Sequence, residues 1–371
     1  MQASFVHQRH MLSRRIQITV FLATFFMAAF LCPIKNIYAS NSFHNSAVIY
    51  AYHRISEPEY PSTNINFDQF EAHIKKIIQD GYTVVSLNDI YKAFKEGTSL
   101  PPKAVAITFE GGHKSILDEA VPLLLEHELP FTIFFAVDQA EWQSDSYLSW
   151  RDLNKLIRND EVSLGLHPAT YRHLLETNEQ DLLTQINRAR SRYREEFDEE
   201  AAFFSYPFGE YSKTIKKMVE DNHFKAAFGQ QSGVANEQSD LFAIPRFAMT
   251  ESYGGIERFQ LTANALPLRI KDISPDNPLL TENPPVIGFT VLDDYKNIDQ
   301  LSCFATATGK TSLEIIGKRV EIRLNEPFTQ GRGRINCTLP ADFDDEGVMR
   351  WRWFGMLFSI KDDLLFETAA E

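Results

Sequence analysis

The stretch Ala104-Val105-Ala106-Ile107-Thr108-Phe109-Glu110-Gly111-Gly112-His113-Lys114-Ser115 changes character twice. Ala104 to Phe109 is a short apolar run with β-branched Val105, Ile107 and Thr108, the pattern of a buried strand. Gly111-Gly112 permits a sharp turn with positive φ, and Ser115 opens a helical pattern. A strand, a tight acidic loop and a helix start follow, which puts Glu110 at the carboxyl end of a strand. That position suits a catalytic carboxylate, and it suits a solvated acidic side chain equally well.

Working outward, strand-like runs at 48–52, 83–85, 105–109, 131–137, 162–166, 202–206 and 226–228 alternate with amphipathic helical patterns. The helices are expected at 67–79, 87–95, 115–127, 150–158, 179–197 and 213–222. Ser86 caps the second, while Ser149 with Asp152 and Thr177 with Gln180 read as capping boxes. Seven strands with alternating helices predict a parallel α/β barrel, whose functional groups sit at the carboxyl ends of strands. After Leu266-Pro267-Leu268 the composition changes. Pro275, Pro278, Pro284 and Pro285 break helices, and runs at 286–292, 302–305, 312–316, 319–324, 334–339 and 349–358 predict a small all-β, sandwich-like domain. Trp351 and Trp353 alternate with Arg350 and Arg352 there, as a sugar-stacking face or as ordinary core and pairing residues.

The chain has 371 residues, 44% apolar and 23% charged, which is ordinary for a globular protein. Its formal charge of −13 argues against nucleic acid or an anionic membrane as the main partner. Residues 1–39 read as a signal peptide: Arg14-Arg15 precede an apolar stretch from Ile16 to Cys32, and Ala39 offers a cleavage site. An uncleaved membrane anchor is the other outcome. The expected location is periplasmic or extracellular. Without the leader only Cys303 and Cys337 remain, and in an exported chain they are expected to form a disulfide, against the alternative of two free thiols.

Motifs spread in order through residues 47–265 resemble those of the polysaccharide deacetylases (the NodB homology domain, carbohydrate esterase family 4). Thr108-Phe109-Glu110-Gly111-Gly112 is similar to the first signature, usually Thr-Phe-Asp-Asp-Gly. Tyr52-His53-Arg54-Ile55 and Tyr60 to Ile65, with Phe70-Glu71-Ala72-His73, look like the exported poly-N-acetylglucosamine deacetylase branch. Gly165 to His173 aligns with the His-Ser/Thr-x-x-His metal motif. Ser205-Tyr206-Pro207-Phe208-Gly209-Glu210-Tyr211 resembles a groove-wall loop, and Phe228 to Gly233 and Ile244-Pro245-Arg246-Phe247 continue the likeness. The resemblance implies a deformed (β/α) barrel over residues 40–270, followed by the β domain at 271–371. It also implies Glu110 as general base, His53 in the general-acid position and Arg246 as the residue that orients the base. Tyr206, Pro207, Phe208 and Tyr211 would form the substrate wall.

Two of the three metal-ligand positions depart from the family pattern. His167 matches the first His, but Tyr171 replaces the second and Gly111 replaces the Asp. A neutral phenol is a poor Zn²⁺ ligand and Gly has no side chain. One His cannot hold the ion that activates the water in such a reaction. A rebuilt set of Glu110, His113, His167 and His173 would be sound for Zn²⁺ or another divalent cation, at the expense of the base.

The leading expectation is an exported homologue that binds N-acetylated polysaccharide as a metal-free pseudoenzyme, with no cofactor. The alternatives are an active metal-dependent N-deacetylase and a structural partner of an envelope protein assembly. Changing Glu110 and Gly111 to Asp and Tyr171 to His is expected to restore the ligand set, with no backbone obstacle at Gly111.

Overall fold

Strand Ala104–Phe109 is buried along its whole length, which is why its apolar run is unbroken: Val105, Ile107 and Phe109 join the cluster that includes the helices, and Ala104 and Ala106 join a second cluster with Phe134, Phe203 and Phe228 of other strands. The computed structural model describes residues 45–306, 309–344 and 347–366. The expected leader at 1–39 lies outside them, and the described residues fall within one unit. The main sheet contains strands β1 (Ser46–Tyr52), β2 (Thr83–Val84), β3 (Ala104–Phe109), β4 (Phe131–Phe135) and β5 (Val162–Leu166). It continues through β6 (Phe203–Ser205), β7 (Ala226–Phe228), β8 (Ala235–Asn236) and β9 (Phe247–Ala248). The strand order is β8-β1-β3-β4-β5-β6-β7, with β2 beside β3 and β9 beside β1.

The seven expected strands are all present, and the sheet curls as a deformed (β/α) barrel. Between β7 and β1 the gap is bridged by an irregular segment. Ile244 exchanges backbone bonds with Ala227 and Gly229, and Met249 N donates to Ala51 O. That segment carries Arg246 into the interior.

Helices Phe67–Gln79 and Glu179–Phe197 match their expected bounds. The expected 115–127 helix is instead two, Ser115–Asp118 and Ala120–Glu126. Pro122 has no N–H to give Asp118, so it sits in the first turn of a new helix rather than inside a continuous one. The cap expected at Thr177 is provided one residue later by Asn178, whose side chain accepts from Asp181 N. Helices Val137–Glu141 and Ile256–Ala263 were not expected from the sequence.

Beyond Ala265 the chain forms a five-stranded and a four-stranded sheet. The first contains β10 (Leu266–Pro267), β13 (Ser302–Ala305), β14 (Gly309–Lys310), β17 (Arg332–Phe343) and β18 (Met349–Ser359). The second contains β11 (Ile270–Ser274), β12 (Ile287–Val291), β15 (Ser312–Ile316) and β16 (Arg319–Arg323). Cys303 and Cys337 face each other across β13 and β17 and are disulfide-bonded. These sheets enclose their own apolar cluster around Phe289, Val320 and Ile335. Trp353 instead packs on the barrel core, edge to face on Phe247 at 5.3 Å, and its Nε1 donates to Asn336. Among the described residues no helix is long and apolar enough to cross a membrane.

Candidate functional site

The carboxyl end of β3 delivers Glu110 into the interior. Its N–H donates to Tyr52 O at 2.8 Å, which ties it to the end of β1, and its side chain is fully buried. Arg246 Nη1 donates to Oε1 at 2.6 Å, and the pair is inaccessible to solvent on both sides. Ser205 Oγ lies 2.8 and 3.0 Å from the two carboxylate oxygens and itself accepts from Arg246 Nη2 at 2.8 Å. The guanidinium also donates to Gly229 O and Thr108 Oγ1. Burial alone would raise the Glu110 pKa; the charge of Arg246, with smaller help from His167 and His53, outweighs it and holds the carboxyl at about 2. Glu110 is therefore a fixed anion. So low a proton affinity makes a weak general base at neutral pH.

The loop after Glu110 turns through Gly111 and Gly112, at φ +78° and +58°. A Cβ on Gly111 would stand 2.7 Å from His113 Nε2. His113 thus folds back over the place where a side chain at 111 would begin. Leu148 N donates to Gly112 O and Lys114 N to Ser146 O, so the loop is pinned from outside. The expectation that Asp fits at 111 without backbone cost is corrected here: the position combines left-handed φ with an occupied Cβ direction.

His167 follows β5 and is fully buried. Its Nδ1–H donates to Ser205 O at 2.8 Å, and its Nε2 accepts from Gly111 N–H at 3.2 Å. Burial is the main cause that lowers its pKa, so the ring is neutral. His53 is lowered to about 4 and His113 well below its ordinary value, both chiefly by burial. The Nδ1 atoms of His53 and His113 are buried without a hydrogen-bond partner.

Tyr171 sets its ring edge to face with His167 at 4.7 Å and with Phe208 at 5.0 Å. Burial, then Glu110, pushes its pKa upward, so it is a neutral phenol. His173 turns away: its Nδ1 lies 2.8 Å from Glu210 Oε2 and its ring stacks on Phe208 at 4.1 Å. The rebuilt set of Glu110, His113, His167 and His173 is accordingly not assembled, because Glu110 is held by Arg246 and His173 by Glu210. Among the described residues no group of three or more His, Cys, Asp or Glu is placed to hold a metal ion. The donor set does not fit the divalent cation that the resemblance implies.

The third motif divides. Tyr206 is fully buried and its hydroxyl donates to Phe242 O at 3.0 Å, so it has no face to offer a sugar, and that expectation is corrected. Pro207 is also buried, and Tyr211 stacks on Tyr206 at 4.8 Å. Phe208, at φ +58°, is the member that meets the second motif. Sequence reasoning missed three contributors. Ser205 links Arg246 to Glu110, Glu210 anchors His173, and Arg332 of β17 comes within 3.6 Å of Glu210 with its guanidinium 5.8 Å from the Phe208 ring centre. Ser205 and Glu210 flank the motif core and were legible as neighbours; Arg332 carried no local signal.

Residues 97–227 match the family model described as polysaccharide deacetylase. The chain carries a polysaccharide deacetylase domain. The poly-beta-1,6-N-acetyl-D-glucosamine N-deacetylase of Escherichia coli (strain K12) is 22% identical over 361 residues, covering 88% of this chain and 51% of that protein. The chain thus spans about half the length of that relative. Among solved structures, the Streptococcus pyogenes deacetylase PplD in complex with acetate aligns with a TM-score of 0.55 at 19% identity, over 59% of this chain and 99% of that one. IcaB from Ammonifex degensii aligns with a TM-score of 0.53 at 21% identity, over 60% and 98%. At these identities the solved structures speak for the fold. The matched part of the deacetylase domain includes Glu110, His167 and the Ser205 to Tyr211 loop; Arg246 and the C-terminal sheets lie beyond it.

Proposed function

We propose that this polysaccharide deacetylase homologue is exported, binds N-acetylated glycan at the cell envelope and does not hydrolyse it. In this reading residues 1–39 are a leader, 40–270 the barrel domain and 271–371 an accessory β domain. The observation that carries the reading is the bond from Gly111 N–H to His167 Nε2. It engages the lone pair that a cation would use, at a position where the family supplies a carboxylate. His113 Nε2 stands where a side chain at 111 would begin, and Tyr171 sets its ring against His167. Without a metal to polarise the acetamide or its attacking water, a carboxylate neutralised by Arg246 has no means to drive hydrolysis. Glycan binding is supported by the rim, where Phe208 is half-buried and His173 and Arg332 are accessible beside it. Aromatic and arginine side chains of this kind dominate recognition sites.

The test is metal analysis after Zn²⁺ loading, together with acetate release and calorimetry on N-acetylglucosamine oligomers. Saturable binding with no retained Zn²⁺ and no acetate is the expected result. Stoichiometric Zn²⁺ that disappears in His167→Ala, with acetate release, overturns it.

A further inference from the structure

Strand β17 presents Arg332, Arg334 and Asn336 on one face, while Ile335 and Cys337 on the other join the C-terminal apolar cluster. The two arginines are one pleat repeat apart, roughly 6–7 Å along the strand, and leave it in the same direction. Arg334 Nη1 donates to Gln230 O at 2.8 Å, and Gln230 is buried, so a carbonyl of the loop after β7 fixes this guanidinium. Among the described residues its Nε and Nη2 have no partner, and neither is sealed from solvent. The Arg332 side chain is exposed and comes no nearer to Glu210 than 3.6 Å, while the other Glu210 oxygen is bonded to His173.

Among the described residues no carboxylate pairs with Arg334, nor with Arg258, whose Nη1 donates to Tyr253 O at 2.7 Å. Burial first, then the charges of Arg332 and Arg258, lower the pKa of Arg334. The shortage of counter-ions is local. The chain has 50 acidic residues against 37 basic ones, and elsewhere Arg246 has Glu110, Arg269 has Asp293 and Arg319 has Glu321. Holding a half-buried guanidinium without a counter-ion is unfavourable, which leaves this face short of an anion that the chain itself does not supply.

We infer that Arg332 and Arg334 together bind a phosphate group. One guanidinium fork is filled by a single carboxylate, whereas the oxygens of a phosphate serve two forks at once. Arg334 is preset by Gln230 O, the exposed Arg332 closes on the ligand, and Glu210 stays with His173. The phosphate is a free ion or is carried by a sugar. The inference goes beyond the function proposed above and needs neither neutral glycan at the Phe208 rim nor the loss of hydrolysis.

The experiment is calorimetric titration of the full chain at low salt with inorganic phosphate, glucose 6-phosphate, glucose and acetate. Saturable binding of both phosphates is expected, with no binding of glucose and about tenfold weaker binding of acetate. Tighter binding of glucose 6-phosphate than of inorganic phosphate assigns the site to a phosphorylated sugar, and equal binding assigns it to the ion. Arg332→Gln and Arg334→Gln are each expected to lower phosphate affinity by about tenfold or more, and the exposed Arg323→Gln, on the other sheet, to leave it unchanged. Phosphate should raise the melting temperature of the wild type and not that of Arg334→Gln. Should Arg334→Gln fail to fold, the exposed Arg332→Gln reads the same site. No saturable phosphate binding, acetate bound as well as phosphate, or phosphate affinity unchanged in either folded variant overturns the inference.

Discussion

The amide of Gly111 donates to Nε2 of His167 at 3.2 Å, a bond between the two loops that the resemblance aligns with the metal motifs. The loops are therefore in register with one another, and what is lost is the space between them. Restoring residue types alone does not restore that space. The variant carrying Glu110→Asp, Gly111→Asp and Tyr171→His is expected to fold without binding Zn²⁺, because a Cβ at 111 meets His113 Nε2 at 2.7 Å. Left-handed φ adds roughly 1–2 kcal/mol for a residue with a side chain. Adding His113→Ala opens the position, and metal uptake by the fourfold variant, read by calorimetry, is the expected outcome. Uptake by the threefold variant would show that His113 yields freely.

The Glu110–Arg246 pair is a structural element first. Removing one partner leaves a buried charge alone, which costs about 3–5 kcal/mol. Arg246→Met is expected to lower stability by that order in urea unfolding, and adding Glu110→Leu to recover most of it. Two losses that simply add would mean that the pair is not coupled in the folded state.

Acid should weaken the fold through His73. Its Nε2–H donates to Gly254 O at 2.8 Å and its Nδ1 accepts from the Tyr52 hydroxyl at 3.0 Å, a neutral ring held on both sides. Burial is the main cause that lowers its pKa to about 4. Between about 4 and 6.5 the unfolded chain binds this proton and the native state does not, so stability rises with pH and is lost as pH falls through that window. The loss is on the order of 2–3 kcal/mol for this ring. In His73→Gln the slope of stability against pH between 4.5 and 6.5 is expected to flatten by that share, and an unchanged slope would refute the assignment.

At the rim, Phe208→Ala should weaken a glycan bound there by about 1–3 kcal/mol, the usual range for an aromatic contact. Tyr206→Phe should leave glycan affinity unchanged and lower thermal stability instead, by about 1 kcal/mol for the lost bond to Phe242 O. A large effect of Tyr206→Phe on binding with no effect on stability would reverse the two assignments.

The barrel was legible because its signals are local. The unbroken apolar runs of β3 and β4, and the Ser86 and Ser149 caps, each decide their own element. That positions 111 and 171 carry Gly and Tyr, neither of them a ready metal ligand, was legible for the same reason, as letters within a motif. What the sequence hid was direction. That Tyr206 faces the core while Phe208 faces the second motif depends on the left-handed turn at Phe208, which no propensity would assign to a phenylalanine. That His113 folds back on Gly111 depends on tethers from residues 146–148, and the approach of Arg332 to Glu210 depends on how the C-terminal sheets dock. Such contacts are made across the fold and leave no periodicity to read.

Arg246 lies on the irregular segment between β7 and β1, outside the matched residues 97–227. A polypeptide trimmed to that match would retain Glu110 in its apolar surroundings and discard its counter-ion, along with β1, whose Tyr52 carbonyl anchors the Glu110 amide. The stretch that identifies the family is thus not the stretch that can stand by itself. The minimal autonomous unit must include Ser46 and continue past Met249, so that the two ends of the barrel, distant in translation, close on each other through the pairing of β8 and β9 with β1, while the same late segment delivers Arg246 to Glu110.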